Sequence, residues 1–206
     1  MQTQLETRTL AAPIEVRKAD NKKMAAGYAA LFNSETDIGG YFREVIAPGA
    51  FSGAKDSDVR ALVDHNSGRV IGRTTAGTLR LSEDTKGLAV EIDLPDTTDG
   101  RDLAVSMERG DITGMSFGFR VTKEQWDEST SPPLRTIMAV DLFEVSAVAF
   151  PAYEDTQVAL RSLDDARKAA EIAARTERRE NKERRLAMKA QADLIARGHS
   201  PKSPPA

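Results

Sequence analysis

The chain has 206 residues, 40% of them hydrophobic, and a formal net charge of −3. That length and apolar fraction suit one ordinary domain with extensions and exclude wholesale disorder. The absence of cysteine excludes disulfides, thiol catalysis and thiolate zinc sites, and two histidines make a poor zinc set, so neither cofactor nor metal is expected.

Residues 1–13 read as a flexible leader. Ile14 to Arg17 and Met24 to Phe32 read as short strands joined by a turn at Asp20-Asn21. A turn-rich stretch from Asn33 to Gly40 leads to a strand at Phe42–Ile46, and Pro48-Gly49 opens a short helical turn around Ala50–Lys55. Val59 to His65 is the next expected strand, ending in the turn cluster Asn66-Ser67-Gly68. Val70–Arg73, Thr78–Ser82 and Gly87–Leu94 continue the β pattern; in the last, Leu88, Val90, Ile92 and Leu94 alternate with polar or small residues. The period changes over 99–109, where Leu103 and Met107 share a face, Thr98 or Asp99 can cap and Gly110 terminates a three-turn helix. Ile112 to Trp126 returns to strand. Thr136–Val140 and Leu142–Phe150 follow as one strand or two, stopped by Pro151.

Many short strands with one inserted helix predict a mainly β (α+β) body at 14–163, closed into a barrel. Residues 164–197 are rich in Ala, Arg, Glu and Lys and lack Gly and Pro, which predicts a charged helical arm. It has no sustained heptad. Residues 198–206 read as a disordered tail. The arm holds ten Lys/Arg against seven Asp/Glu, whereas 1–163 holds 18 against 25. An acidic body with 5% aromatic residues does not suit nucleic acid, which needs cationic grooves and stacking rings. No segment has the length of a membrane span, and the N-terminus has no apolar signal core, so an intracellular protein without membrane contact is expected.

The chemistry narrows to few residues. His199 lies in the tail, so any imidazole base in the body is His65. In a strand, Met115, Phe117 and Phe119 share one face, and Gly114, Ser116 and Gly118 share the other. Ser116 then stands on a glycine shelf that a substrate backbone can approach closely, which makes it the candidate nucleophile. The bland alternative is a small-residue stripe packed under a neighbouring element. The helix precedes this serine, so the motif is not the nucleophile elbow of hydrolases. A third member would fix the imidazole tautomer. Glu144 lies within an apolar strand, on the face of Leu142, Ser146 and Val148, where a carboxylate is costly without a partner. Asp141, at the start of that run, is more easily solvated and stands as the alternative.

Several of these segments together resemble a known family. Gly27-Tyr28-Ala29-Ala30-Leu31-Phe32, the run from Glu44 to Phe51, Asp64-His65-Asn66, Gly114 to Phe119, and Leu142 to Ser146 with Pro151-Ala152 are similar to the prohead serine proteases of tailed bacteriophages. The resemblance spans roughly 14–160. It implies an assemblin-like β-barrel surrounded by helices, related in fold to the herpesvirus assemblins. It further implies a serine endopeptidase that cleaves segments of the major capsid protein or its scaffold, and itself, within the immature procapsid in the host cytoplasm. The protease would then be absent from the mature virion or kept only as fragments. By motif, Ser116 would be nucleophile and His65 general base. The assemblins carry a second histidine as third member, where this chain offers Glu144 or Asp141. Assemblins act as dimers, so a homodimer is an expectation. Two other readings remain open from sequence: a non-catalytic capsid assembly protein with a β-barrel body, and a barrel that binds a small ligand.

Overall fold

The computed structural model describes residues 5–10, 14–19, 22–149 and 156–196. Contacts divide the chain into two units, residues 1–160 and 161–206. The first is built on strands β1 (Glu6–Leu10), β2 (Glu15–Ala19), β3 (Lys22–Leu31), β4 (Thr36–Ile38), β5 (Phe42–Ile46), β6 (Arg60–Val63), β7 (Asn66–Arg73), β8 (Leu79–Glu83) and β9 (Gly87–Asp93), helix α1 (Thr98–Arg109), and strands β10 (Gly114–Asp127) and β11 (Leu134–Val148). Helix α2 (Thr156–Ala196) runs from its end through the second unit.

The strands form two sheets, and the expected closed barrel is not found. The four-stranded sheet has the order β2-β3-β9-β8, antiparallel throughout. The seven-stranded sheet runs β1-β10-β11-β5-β4, with the β6–β7 hairpin branching from β11. The branch explains the openness. β11 is 15 residues long and pairs in parallel with β5 through Leu134–Ile137, then with β6 through Glu144–Ala147. One strand thus spends its free edge on two partners in succession, and register shifts in its pairing with β10 bend the ladder. Nor is the body ringed by helices: among the described residues it holds α1, two one-turn 3-10 helices, Ala54–Asp56 and Thr74–Ala76, and the first residues of α2.

The core follows the predicted alternation. Met115, Phe117 and Phe119 are fully buried on one face of β10, where Phe117 meets Phe51 edge-on at 5.5 Å and stacks on Phe119 at 4.9 Å. Leu88, Val90 and Ile92 of β9 and Leu103 and Met107 of α1 join the same cluster. Thr97, one residue before the two expected caps, accepts from the Gly100 N–H and caps α1, and Gly110 closes it in the left-handed conformation.

Three other segments differ from expectation. Glu6–Leu10, read as leader, is a strand paired antiparallel to β10. Asn66-Ser67-Gly68, read as a turn, opens β7; the turn is Asp64-His65, with φ of 54° and 56°. Val63 pairs with Asn66 across it, so it is a two-residue hairpin of the left-handed kind whose twist matches the strands. The two segments read as one strand or two from Thr136 onward form the single strand β11. Asp20-Asn21, Pro151 and the tail lie outside the described residues. Among the described residues no helix is long and apolar enough to cross a membrane.

Candidate active site

Three neighbouring strands carry the candidate residues. β10 contributes Ser116, paired with Ser146 of β11; β11 also contributes Glu144, paired with Gly118; β6 lies on the far side of β11 and delivers the Asp64-His65 turn. That turn is pinned to β11 twice. The Asp64 N–H donates to the Ala147 carbonyl at 2.9 Å, and the His65 N–H donates to Ser146 Oγ at 3.3 Å. Two successive non-glycine residues at positive φ are uncommon and persist where surroundings over-determine them. Here they swing His65 back over β11.

His65 Nδ1 lies 2.6 Å from Glu144 Oε1. An ionised carboxylate only accepts, so Nδ1 carries the proton and Nε2 presents its lone pair. Nε2 is buried and has no hydrogen-bond partner among the described residues. Glu144 Oε2 accepts from Ser146 Oγ at 2.5 Å, so both carboxylate oxygens are fixed. The hydrogen bond to Glu144 raises the His65 pKa above its ordinary 6.5; partial burial opposes this, and the charges of Glu144 and Asp64 add to the rise. Asp141 is exposed and pairs across the ladder with Arg120, away from the imidazole's partner set. Of the two sequence candidates, the structure brings Glu144 to His65.

Ser116 is fully buried, and its shelf is occupied. A methyl at Gly118 would stand 2.6 Å from Glu144 Oε1, so the glycine is what lets this carboxylate lie flat over β10 on its way to His65. On its other side Ser116 faces β1. Its Oγ donates to the Arg8 carbonyl at 2.9 Å and accepts from Thr9 Oγ1 at 3.2 Å. No hydrogen bond joins Ser116 to His65 among the described residues. The side of the serine expected to lie open to a substrate backbone is thus covered by the chain's own β1.

Beneath β1 lies a buried ionic cluster. Arg135 donates to Glu6 and Glu44 and pairs with Glu124; Arg8 forks onto Glu44 at 2.7 and 2.9 Å. Arg135, Glu6 and Glu44 are each under 5% exposed. Burial alone would push Glu6 up, but the hydrogen bond and charge of Arg135 hold it below its ordinary value. Among the described residues no group of three potential ligands is placed to hold a metal ion.

The family model for the caudovirus prohead serine protease matches residues 12–169. The chain belongs to that family. It is 34% identical over 145 residues to the prohead protease of Enterobacteria phage HK97, a match covering 67% of this chain and 60% of that protein's length. In structure it is similar to the bacteriophage T4 capsid assembly protease, with a TM-score of 0.53 at 12% identity, covering 72% of this chain and 99% of the other. The second likeness concerns the fold. The contacts that Ser146, Arg8 and Thr9 make around this site were the parts that sequence missed. Ser146 had a signal, since it sits two residues from Glu144 on the same face. Arg8 and Thr9 had only the strand propensity of alternating threonines.

Proposed function

We propose that this chain is a serine endopeptidase that cuts segments of a major capsid protein or its scaffold during prohead maturation, and cuts itself. The observation that carries the reading is the His65–Glu144 pair: one ring nitrogen fixed at 2.6 Å by a doubly hydrogen-bonded carboxylate, the other buried without a partner, one strand away from a serine in the family's motif. In the reaction Ser116 exchanges its bond to the Arg8 carbonyl for one to His65 Nε2. The imidazole takes the Ser116 proton as Oγ attacks a peptide carbonyl, Glu144 stabilises the resulting imidazolium, and an acyl-enzyme forms that water releases.

The Ser116 hydroxyl engaged by β1 corresponds to a latent state, and displacement of β1 precedes turnover. Action inside the immature shell, within the host cytoplasm, fits an enzyme that is inert until its substrate surrounds it. The domain division belongs to the same proposal: a protease body at 14–163 and a charged helical arm at 164–197. So do homodimerisation, read by sedimentation of the full chain, and kinship with the herpesvirus assemblins, read by superposing β6, β10 and β11 on their catalytic strands.

The test is intact mass after incubation with a serine-directed phosphonate, on the full chain, Ser116→Ala and His65→Ala, each alone and co-assembled with capsid subunit. A single adduct on the unsubstituted chain alone, with processing lost on the order of 10⁶-fold in both variants, is expected. Processing that survives Ser116→Ala would sink the assignment.

A further inference from the structure

β1 lies against β10 as an added strand, and its side chains alternate. Thr7 and Thr9 share the face of Ser116, whereas Glu6 and Arg8 turn to the face of Phe117 and Phe119. Each inward side chain meets a built receptor. The Arg8 guanidinium forks onto both oxygens of Glu44 and stands 5.5 Å over the Phe119 ring. Glu6 receives two nitrogens of Arg135, at 2.9 and 3.0 Å. A carboxylate paired with a planar fork and an aromatic face suits arginine better than lysine, which offers a point charge. At the same time the carbonyl that meets Ser116 is that of Arg8.

Without β1, Arg135 still pairs with Glu44 and Glu124, but Glu44 loses the Arg8 fork. A vacated groove therefore presents two carboxylates, Glu44 and Glu124, sharing the single Arg135 guanidinium, an excess negative charge at a fixed distance from the nucleophile that a docking arginine compensates. Extended peptides dock on sheet edges through main-chain hydrogen bonds, and alternate side chains supply the selectivity.

We infer that the groove selects a peptide with arginine at the residue whose carbonyl meets Ser116 and glutamate two residues before it, Glu44 reading the arginine and Arg135 the glutamate. This rests on the protease reading above and adds its substrate class. In the step so selected, Ser116 Oγ bonds to the arginine carbonyl carbon and its proton passes to His65 Nε2. The C–N bond to the next residue then breaks as that proton moves to the leaving amine, and water later releases the new carboxylate.

The test uses the full chain with Arg8→Glu, which sets two carboxylates face to face and weakens β1 on the groove; Arg8→Ala replaces it if the chain fails to fold. Binding is measured by fluorescence polarisation on the same chain with Ser116→Ala, using a labelled peptide copying residues 5–10. Cutting is measured with Ser116 intact, by mapping sites in a mixture of proteome-derived peptides. The copied peptide should bind at least about tenfold tighter than one with its arginine replaced by glutamate, and Glu44→Arg, placed in a chain that keeps Arg8 so that β1 is again repelled, should reverse that order. Mapped sites should have arginine before the cut and glutamate two residues earlier. Equal binding of the two peptides, an unchanged order in Glu44→Arg, or cuts after non-basic residues each overturn the inference and leave the protease reading intact. The expected binding preference without any cut or phosphonate adduct upholds the recognition and removes the protease reading.

Discussion

Replacing Gly118 with alanine perturbs the carboxylate that orients His65 while leaving every titratable side chain in place. The new methyl would stand 2.6 Å from Glu144 Oε1, about 0.8 Å short of where ordinary contact begins at 3.4 Å. Glu144 cannot slide away cheaply, because Oε1 is bound to His65 at 2.6 Å and Oε2 to Ser146 at 2.5 Å. A shift of that size takes the His65 contact out of hydrogen-bonding range. A hydrogen bond to a charged group is worth about 1.5–3 kcal/mol, so the orienting interaction falls by roughly 10- to 100-fold in equilibrium terms. The fold should survive, since the alanine lowers the entropy of the unfolded chain while crowding one flexible side chain. The assay is the titration of the His65 ring by NMR in the full chain, with capsid processing measured in parallel. In the unsubstituted chain the midpoint lies above 6.5. In Gly118→Ala burial remains and the Glu144 bond, the largest cause of the rise, is lost, so the midpoint drops. A folded Gly118→Ala chain with an unshifted His65 midpoint would refute the geometry on which the site is built.

Further outcomes follow from the electrostatics of the His65 pair and of the Arg135 cluster. His65 acts as a base only when neutral, and its pKa is raised, so the acid limb of kcat/KM should lie above pH 6.5. Glu144→Gln removes the raising bond, so that limb moves to lower pH while the plateau falls by up to about 10⁴-fold; a limb that stays in place argues against the pair. Arg135→Met leaves Glu6 and Glu44 buried with Arg8 alone, a loss of about 3–5 kcal/mol by urea unfolding at pH 7. The Glu6 pKa is depressed in the folded state, so its contribution is present above 4.5 and is lost as pH falls through the folded value. The difference between the two chains should therefore shrink below pH 4.5, and a loss under about 1 kcal/mol at pH 7 would contradict the burial of this cluster.

Much of the site was legible because scarcity and period act locally. With one histidine in the body, a carboxylate at an inward strand position had an evident partner, and the alternation at 114–119 put Ser116 and the phenylalanines on opposite faces. The turn was not legible. Asp64 and His65 adopt positive φ without glycine, whereas Asn66-Ser67-Gly68 has turn composition but pairs as strand, because hydrogen bonds from β11 decide where the chain reverses. β1 was hidden for a similar reason. It fell within the expected leader at 1–13, yet its Glu6 and Arg8 are held by Arg135 and Glu44, 36 to 129 positions away along the chain. The closed barrel failed as an expectation because strand count does not reveal that β11 divides its edge between β5 and β6.

The strand that covers Ser116 is separated from Ile14 by only three residues of chain. A segment on so short a tether competes for its groove at an effective concentration of about millimolar, whatever the dilution of the protein. Ordinary substrate levels in free solution do not match that. On the proposed reading, a substrate opens the groove only where it is confined to a comparable local density, so the threshold for activity is a concentration rather than a chemical signal.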